Sequence, residues 1–185
     1  YGGHIVDADG NDYIDMLCAY GPIILGYVED EINQAVIAQM QKGFCFSLIQ
    51  EIQNRLQQKL IELIPCAEMA VLAKTGSDVT TMAIRVARGY TGKKKVLRCG
   101  YHGWHDWCVE QKGGVPQEIV DLTVEFEYGD LPDLCRKLEA AKDDLACIII
   151  TPVGHPTAKD VIPPPAGYLQ AVRDLADQYG VVLVF

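Results

Sequence analysis

The chain has 185 residues, 49% of them hydrophobic and 22% charged, and a formal net charge of −9. Such a length buries a core within one domain. The acidic balance argues against nucleic acid as a partner, because phosphate backbones need a basic face; the one basic cluster, Lys93, Lys94 and Lys95, follows a helical stretch whose carbonyl end it complements.

Seven cysteines occur, at 18, 45, 66, 99, 108, 135 and 147, with no CxxC pair. Several lie inside apolar runs, so free thiols in a reducing compartment are expected. No signal peptide or long apolar span is visible, and the expected location is cytoplasmic. The chain opens on Tyr1 without an initiator methionine and closes on the apolar run Val181, Val182, Leu183, Val184 and Phe185. Both ends read as those of a fragment.

In chain order, two short alternating segments flank Asp9, Gly10 and Asn11 and predict a hairpin over residues 4–16, because Asp-Gly suits the positive φ angles of tight turns. A loop rich in glycine and aromatics follows, to Tyr27. Residues 1–27 form this hairpin and loop, and residues 28–185 the first part of a larger domain. Ile32, Val36, Ile37 and Met40 mark a helix ended by Gly43; Ile52, Leu56, Leu60 and Leu63 mark another that stops before Pro65.

From residue 69 the pattern alternates. Strands are predicted over 69–73, 95–99, 122–126 and 146–150 and in the terminal run, and helices over 79–90, 131–141 and 167–179. Two-sided apolar strands alternating with helices imply an α/β fold with a mostly parallel sheet, whose ligands sit beyond the strands' carboxyl ends. The turn Thr75, Gly76, Ser77, Asp78 and the loop from Tyr101 to Trp107 both fall there.

A helix start carries unpartnered N–H groups and partial positive charge. Gly76 lets backbone approach an anion, and Thr75 and Ser77 offer hydroxyls, which makes a simple phosphate cradle. The same turn also reads as plain capping by Ser77 or Asp78. In the loop, Tyr101 can stack on a flat cofactor ring with His102 beside it. Zinc held by His102, His105, Asp106 and Cys108 lacks a ligand spacing that supports it, and aromatics that merely plug the sheet end are a further reading.

The stretch "KTGSDVTTMAIRVARGYTGKKKV" followed by "CGYHGWHDW" resembles the class III aminotransferases, pyridoxal-phosphate enzymes of fold type I, and within them the glutamate-1-semialdehyde aminomutase-like group. "DADGNDYIDML", "GPIILGY" and "IPPPAGYLQAVRDLADQYGVVLVF" are similar to other parts of the same family. The resemblance implies a partial large domain in which Gly76 and Ser77 hold the phosphate of pyridoxal 5'-phosphate, Tyr101 stacks on its ring, and His102 and Gly103 shape that wall. It implies amino-group transfer between an amine or amino acid and a keto or aldehyde acceptor, between molecules or within one, by a homodimer without membrane or nucleic-acid partners.

The family's ring-nitrogen aspartate and Schiff-base lysine are expected beyond Phe185, so no catalytic residue is assigned here and residues 1–185 alone are expected to be inactive. Two departures stand out: Thr151 precedes Pro152 and Val153 where many relatives carry glutamate, and Gly26, Tyr27 and Val28 replace a Gly-His-Pro. The resemblance assigns no role to His155. The other reading is a non-catalytic α/β module that binds a phosphorylated ligand or partner through the same helix head.

Overall fold

A computed structural model describes residues 1–154 and 161–185, so His155 lies outside the described residues. The chain divides into two units, Tyr1–Ala70 and Val71–Phe185.

In the first unit, β1 (His4–Val6) pairs antiparallel with β2 (Asp12–Ile14), placing His4 opposite Ile14. Their turn is organised by the Asp7 carboxylate, which accepts from the Asp9 and Asn11 amides and the Asn11 side chain. Helices α1 (Asp30–Lys42) and α2 (Glu51–Leu63) follow at the predicted places. Their apolar stripes are present but uncovered: Ile32, Val36, Ile37, Met40, Ile52, Leu56 and Leu63 are between 44% and 64% exposed. No residue of this unit is buried.

The second unit contains α3 (Gly76–Thr91), β3 (Lys95–Cys99), the short α4 (Gln117–Val120), β4 (Thr123–Glu125), α5 (Leu131–Ala141), β5 (Leu145–Ile150), α6 (Tyr168–Tyr179) and β6 (Val182–Val184). The strands form one parallel sheet in the order β4-β3-β5-β6. Alternate side chains of β3 and β5 face opposite layers. Leu97, Cys99, Ile148 and Ile150 pack with Leu134 and Leu138 of α5 and Val172 and Ala176 of α6. Val96, Cys147 and Ile149 pack with Ile84 and Ala87 of α3 and with Trp107 and Cys108. All six residues of β5 are buried, which explains its uninterrupted apolar sequence; each large side chain there contributes roughly 1.5–3 kcal/mol of burial.

The strand predicted over 69–73 is absent. The residues are apolar enough, but a strand exists by pairing, and no neighbour among the described residues offers these backbone groups a ladder. A second departure from pattern is Arg98, a charged side chain within β3 that is only 5% exposed. Its guanidinium donates to the Glu125 carboxylate on β4 and to the Cys108 carbonyl, tying the loop after β3 back onto the sheet.

Candidate functional site

The start of α3 is capped by the residues on either side of its first two amides. Thr75 is extended, and its hydroxyl oxygen accepts from the Asp78 amide at 3.2 Å. The Asp78 carboxylate accepts in return from the Thr75 amide at 3.0 Å and the Thr75 hydroxyl at 2.9 Å. This reciprocal box satisfies Thr75 and Asp78. It also turns the only carboxylate of the turn onto Thr75 and engages the Thr75 hydroxyl, leaving Ser77 as the free hydroxyl donor. The amides of Gly76 and Ser77 have no hydrogen-bond partner among the described residues. A Cβ at Gly76 would meet no atom within 4 Å, so the space beside them is open.

The loop after β3 passes over this helix head. Gly103, at φ +114°, comes so near that a Cβ there would lie 2.3 Å from Ser77 Oγ. The Trp104 amide donates to Ser77 Oγ at 3.3 Å, which leaves the Ser77 hydroxyl proton available. Thr80 donates to the His102 carbonyl at 2.7 Å. Further along, Trp107 Nε1 donates to Thr81 Oγ1 at 2.9 Å, and the Thr81 hydroxyl and His105 Nδ1 are hydrogen-bonded at 2.8 Å.

His102 is buried. Its Nε2 lies 3.0 Å from the Cys99 carbonyl, which only accepts, so Nε2 carries the proton. The ring stacks on Trp107 with centroids 6.1 Å apart. Burial holds this imidazole below its ordinary pKa, against the smaller upward effect of the Cys99 hydrogen bond, and favours the neutral form. Tyr101 is different: it is 61% exposed and makes no side-chain hydrogen bond among the described residues.

Helix head and loop enclose a cleft of about 430 Å³, lined by residues 75–77, Val79 and Thr80 on one side and residues 101–104 on the other. Gly76, Ser77, Tyr101, His102 and Gly103 therefore all meet at one cleft. Thr80 and Trp104 line it too and were not singled out from the sequence. Thr80 stands one turn after Ser77, on the same helix face, and that spacing was the available signal. Among the described residues no group of three His, Cys, Asp or Glu side chains can hold a metal ion. Chemically, two idle amides, one free hydroxyl proton and the positive helix end suit an anion, and the exposed Tyr101 ring suits a flat group.

The family profile for aminotransferase class-III matches residues 1–185. Over the whole chain it is 65% identical to 3-aminobutyryl-CoA aminotransferase of Cloacimonas acidaminovorans (strain Evry), covering 45% of that protein. It is 36% identical, over 199 aligned residues, to glutamate-1-semialdehyde 2,1-aminomutase 2 of Bacillus mycoides (strain KBAB4), covering 46% of it. Among solved structures, an omega-transaminase from Sphaerobacter thermophilus matches 99% of the chain with a TM-score of 0.92 and 30% identity, over 46% of its own length. The PLP internal aldimine form of the Sphingopyxis sp. MTA144 FumI protein matches 98% with a TM-score of 0.94 and 32% identity, over 44% of its length. The chain thus spans about half the length of the curated relatives it matches. The fold is part of the α/β architecture these transaminases share, and the chain belongs to the aminotransferase class-III family.

Proposed function

We propose that the full-length protein is a pyridoxal 5'-phosphate-dependent aminotransferase whose amino donor is a β-amino acyl thioester of the 3-aminobutyryl-CoA kind. The donor class rests on 65% identity to the aminotransferase of that name, against 36% to the aminomutase. The observation that carries the cofactor reading is the meeting of two amides, at Gly76 and Ser77, unpartnered among the described residues, with the exposed Tyr101 ring in one cleft.

The residues fit this cofactor. The Gly76 and Ser77 N–H groups and the Ser77 hydroxyl would hold its phosphate, at a helix end that favours negative charge. Among the described residues no carboxylate lines the cleft, so the anion meets no like charge from them. Tyr101 covers one face of the pyridine ring and keeps water from it. Neutral His102 adds no charge to that wall, and Gly103 lets it close on Ser77. When bound, the cofactor supplies an electrophilic carbonyl and an electron-withdrawing ring that spreads charge developing at the substrate carbon.

A homodimer is part of the proposal, supported by apolar side chains of the first unit that the chain itself leaves uncovered. A cytoplasmic location is consistent with a chain in which, among the described residues, no helix is long and apolar enough to cross a membrane. The test is full-length protein with added pyridoxal phosphate, 3-aminobutyryl-CoA and a 2-oxo acid. Amino transfer from the thioester is expected, with no isomerisation of glutamate-1-semialdehyde; the reverse pattern would move the protein to the aminomutases. Absence of a visible absorbance band that borohydride fixes to a lysine would remove the cofactor assignment.

A further inference from the structure

Among the described residues Tyr101 makes no hydrogen bond with its own side chain, and the ties that place it lie in the backbone on either side. Before it, Gly100 stands at φ +98° with Thr151 Oγ1 only 2.6 Å from where a Cβ would lie. After it, His102 is tied twice: its ring to the Cys99 carbonyl of β3, its carbonyl to the Thr80 hydroxyl of α3. The Thr80 tie is unusual for a threonine inside a helix. Such hydroxyls ordinarily bond back to a carbonyl of their own helix, one turn earlier. Thr80 has that option in the Ser77 carbonyl at 3.2 Å, yet the His102 carbonyl is nearer, at 2.7 Å. A hydroxyl has one proton to donate, and the shorter contact takes it.

We infer that Thr80 is a positioning residue, which sets the gap between the Tyr101 ring and the Gly76 and Ser77 amides by holding the His102 carbonyl against α3; this rests on the cofactor reading above. Thr80 lines the cleft on the same helix face as Ser77, so anion donors and ring wall are referenced to a single helical turn. Without the hydroxyl, the tie left between residues 101–104 and α3, among the described residues, is the longer Trp104-to-Ser77 contact at 3.3 Å; the bonds of Thr81 to His105 and Trp107 lie further along the loop.

The test uses full-length protein carrying T80V, which keeps the branched shape and removes the donor, and T80S, which keeps the donor. T80A repeats the loss should the valine disturb folding, judged by circular dichroism. Amide hydrogen exchange of residues 101–104 is measured without cofactor, and pyridoxal phosphate retention by equilibrium dialysis. T80V is expected to speed exchange and weaken retention by roughly five- to tenfold, the scale of one hydrogen bond, with T80S near wild type. Unchanged exchange or unchanged retention in T80V, or equal losses in T80S, overturns the role while uptake by wild type keeps the cofactor reading intact. Wild-type protein that takes up no pyridoxal phosphate overturns that reading and the role together.

Discussion

Gly76 and Gly103 face the same cleft for opposite physical reasons. A methyl at 103 would run into Ser77 and would also require φ +114°, a region L-residues avoid. G103A is therefore expected to cost about 1–3 kcal/mol of stability, read from urea unfolding, and to lower cofactor retention with it. A methyl at 76 has open space and a helical backbone, so G76A should leave cofactor-free stability unchanged or raised by a few tenths of a kcal/mol, roughly. Retention should still fall if the proposed anion site is right, because the methyl would stand in the open space beside the Gly76 and Ser77 amides. His102 supplies a pH test. Its folded pKa lies below the ordinary 6.5, so as pH drops through that value the unfolded chain takes up a proton before the native one does. Its contribution is complete above pH 6.5 and declines below it. H102Q, which donates to the Cys99 carbonyl without titrating, should flatten the fall in urea midpoint as pH drops below 6.5. Gly76, Ser77 and Tyr101 were singled out in the sequence by small residues before a helix and an aromatic between glycines, patterns that capping and sheet-end packing share. Thr80 was not, since its role depends on which loop lies above it.

At the scale of elements, α5 and β3 were read with their observed bounds, because periodicity, turn residues and caps agree there. The start of α3 was set late, at residue 79 rather than Gly76, since Thr75 rather than Ser77 or Asp78 takes the cap position. T75A should cost about 1 kcal/mol in thermal or urea unfolding through loss of that cap. The strand expected over 69–73 failed for lack of a partner, which no local pattern reveals. Nor does pattern reveal the pairing of Arg98 with Glu125. Arg98 is 5% exposed and Glu125 61%, so the two partners are not equivalent. E125A strands a buried guanidinium and is expected to cost about 1–3 kcal/mol. R98M leaves a carboxylate that water can reach but also takes the donor from the buried Cys108 carbonyl, so its cost in urea unfolding should be of the same order.

For the molecule as a whole, the apolar side chains fall into two populations. Those of the second unit build the layers on either side of the sheet, whereas the first unit has none that is buried. Limited proteolysis of residues 1–185 should therefore cut within the first 70 residues and leave a resistant product containing β3 to β6, read by mass spectrometry. Within the second unit, Val71, Val86 and Tyr90 with Val182 and Val184 line an apolar groove of about 470 Å³ beside the free edge of β6. Sedimentation at rising concentration should show residues 1–185 self-associating through such uncovered surface. The parallel sheet has one more effect. By ending β3 and β5 side by side, it presses Thr151 against Gly100, immediately before the ring that faces the cleft. A bulkier side chain at 151 is thus expected to displace the Gly100 backbone, and with it the start of the loop that lines the cleft.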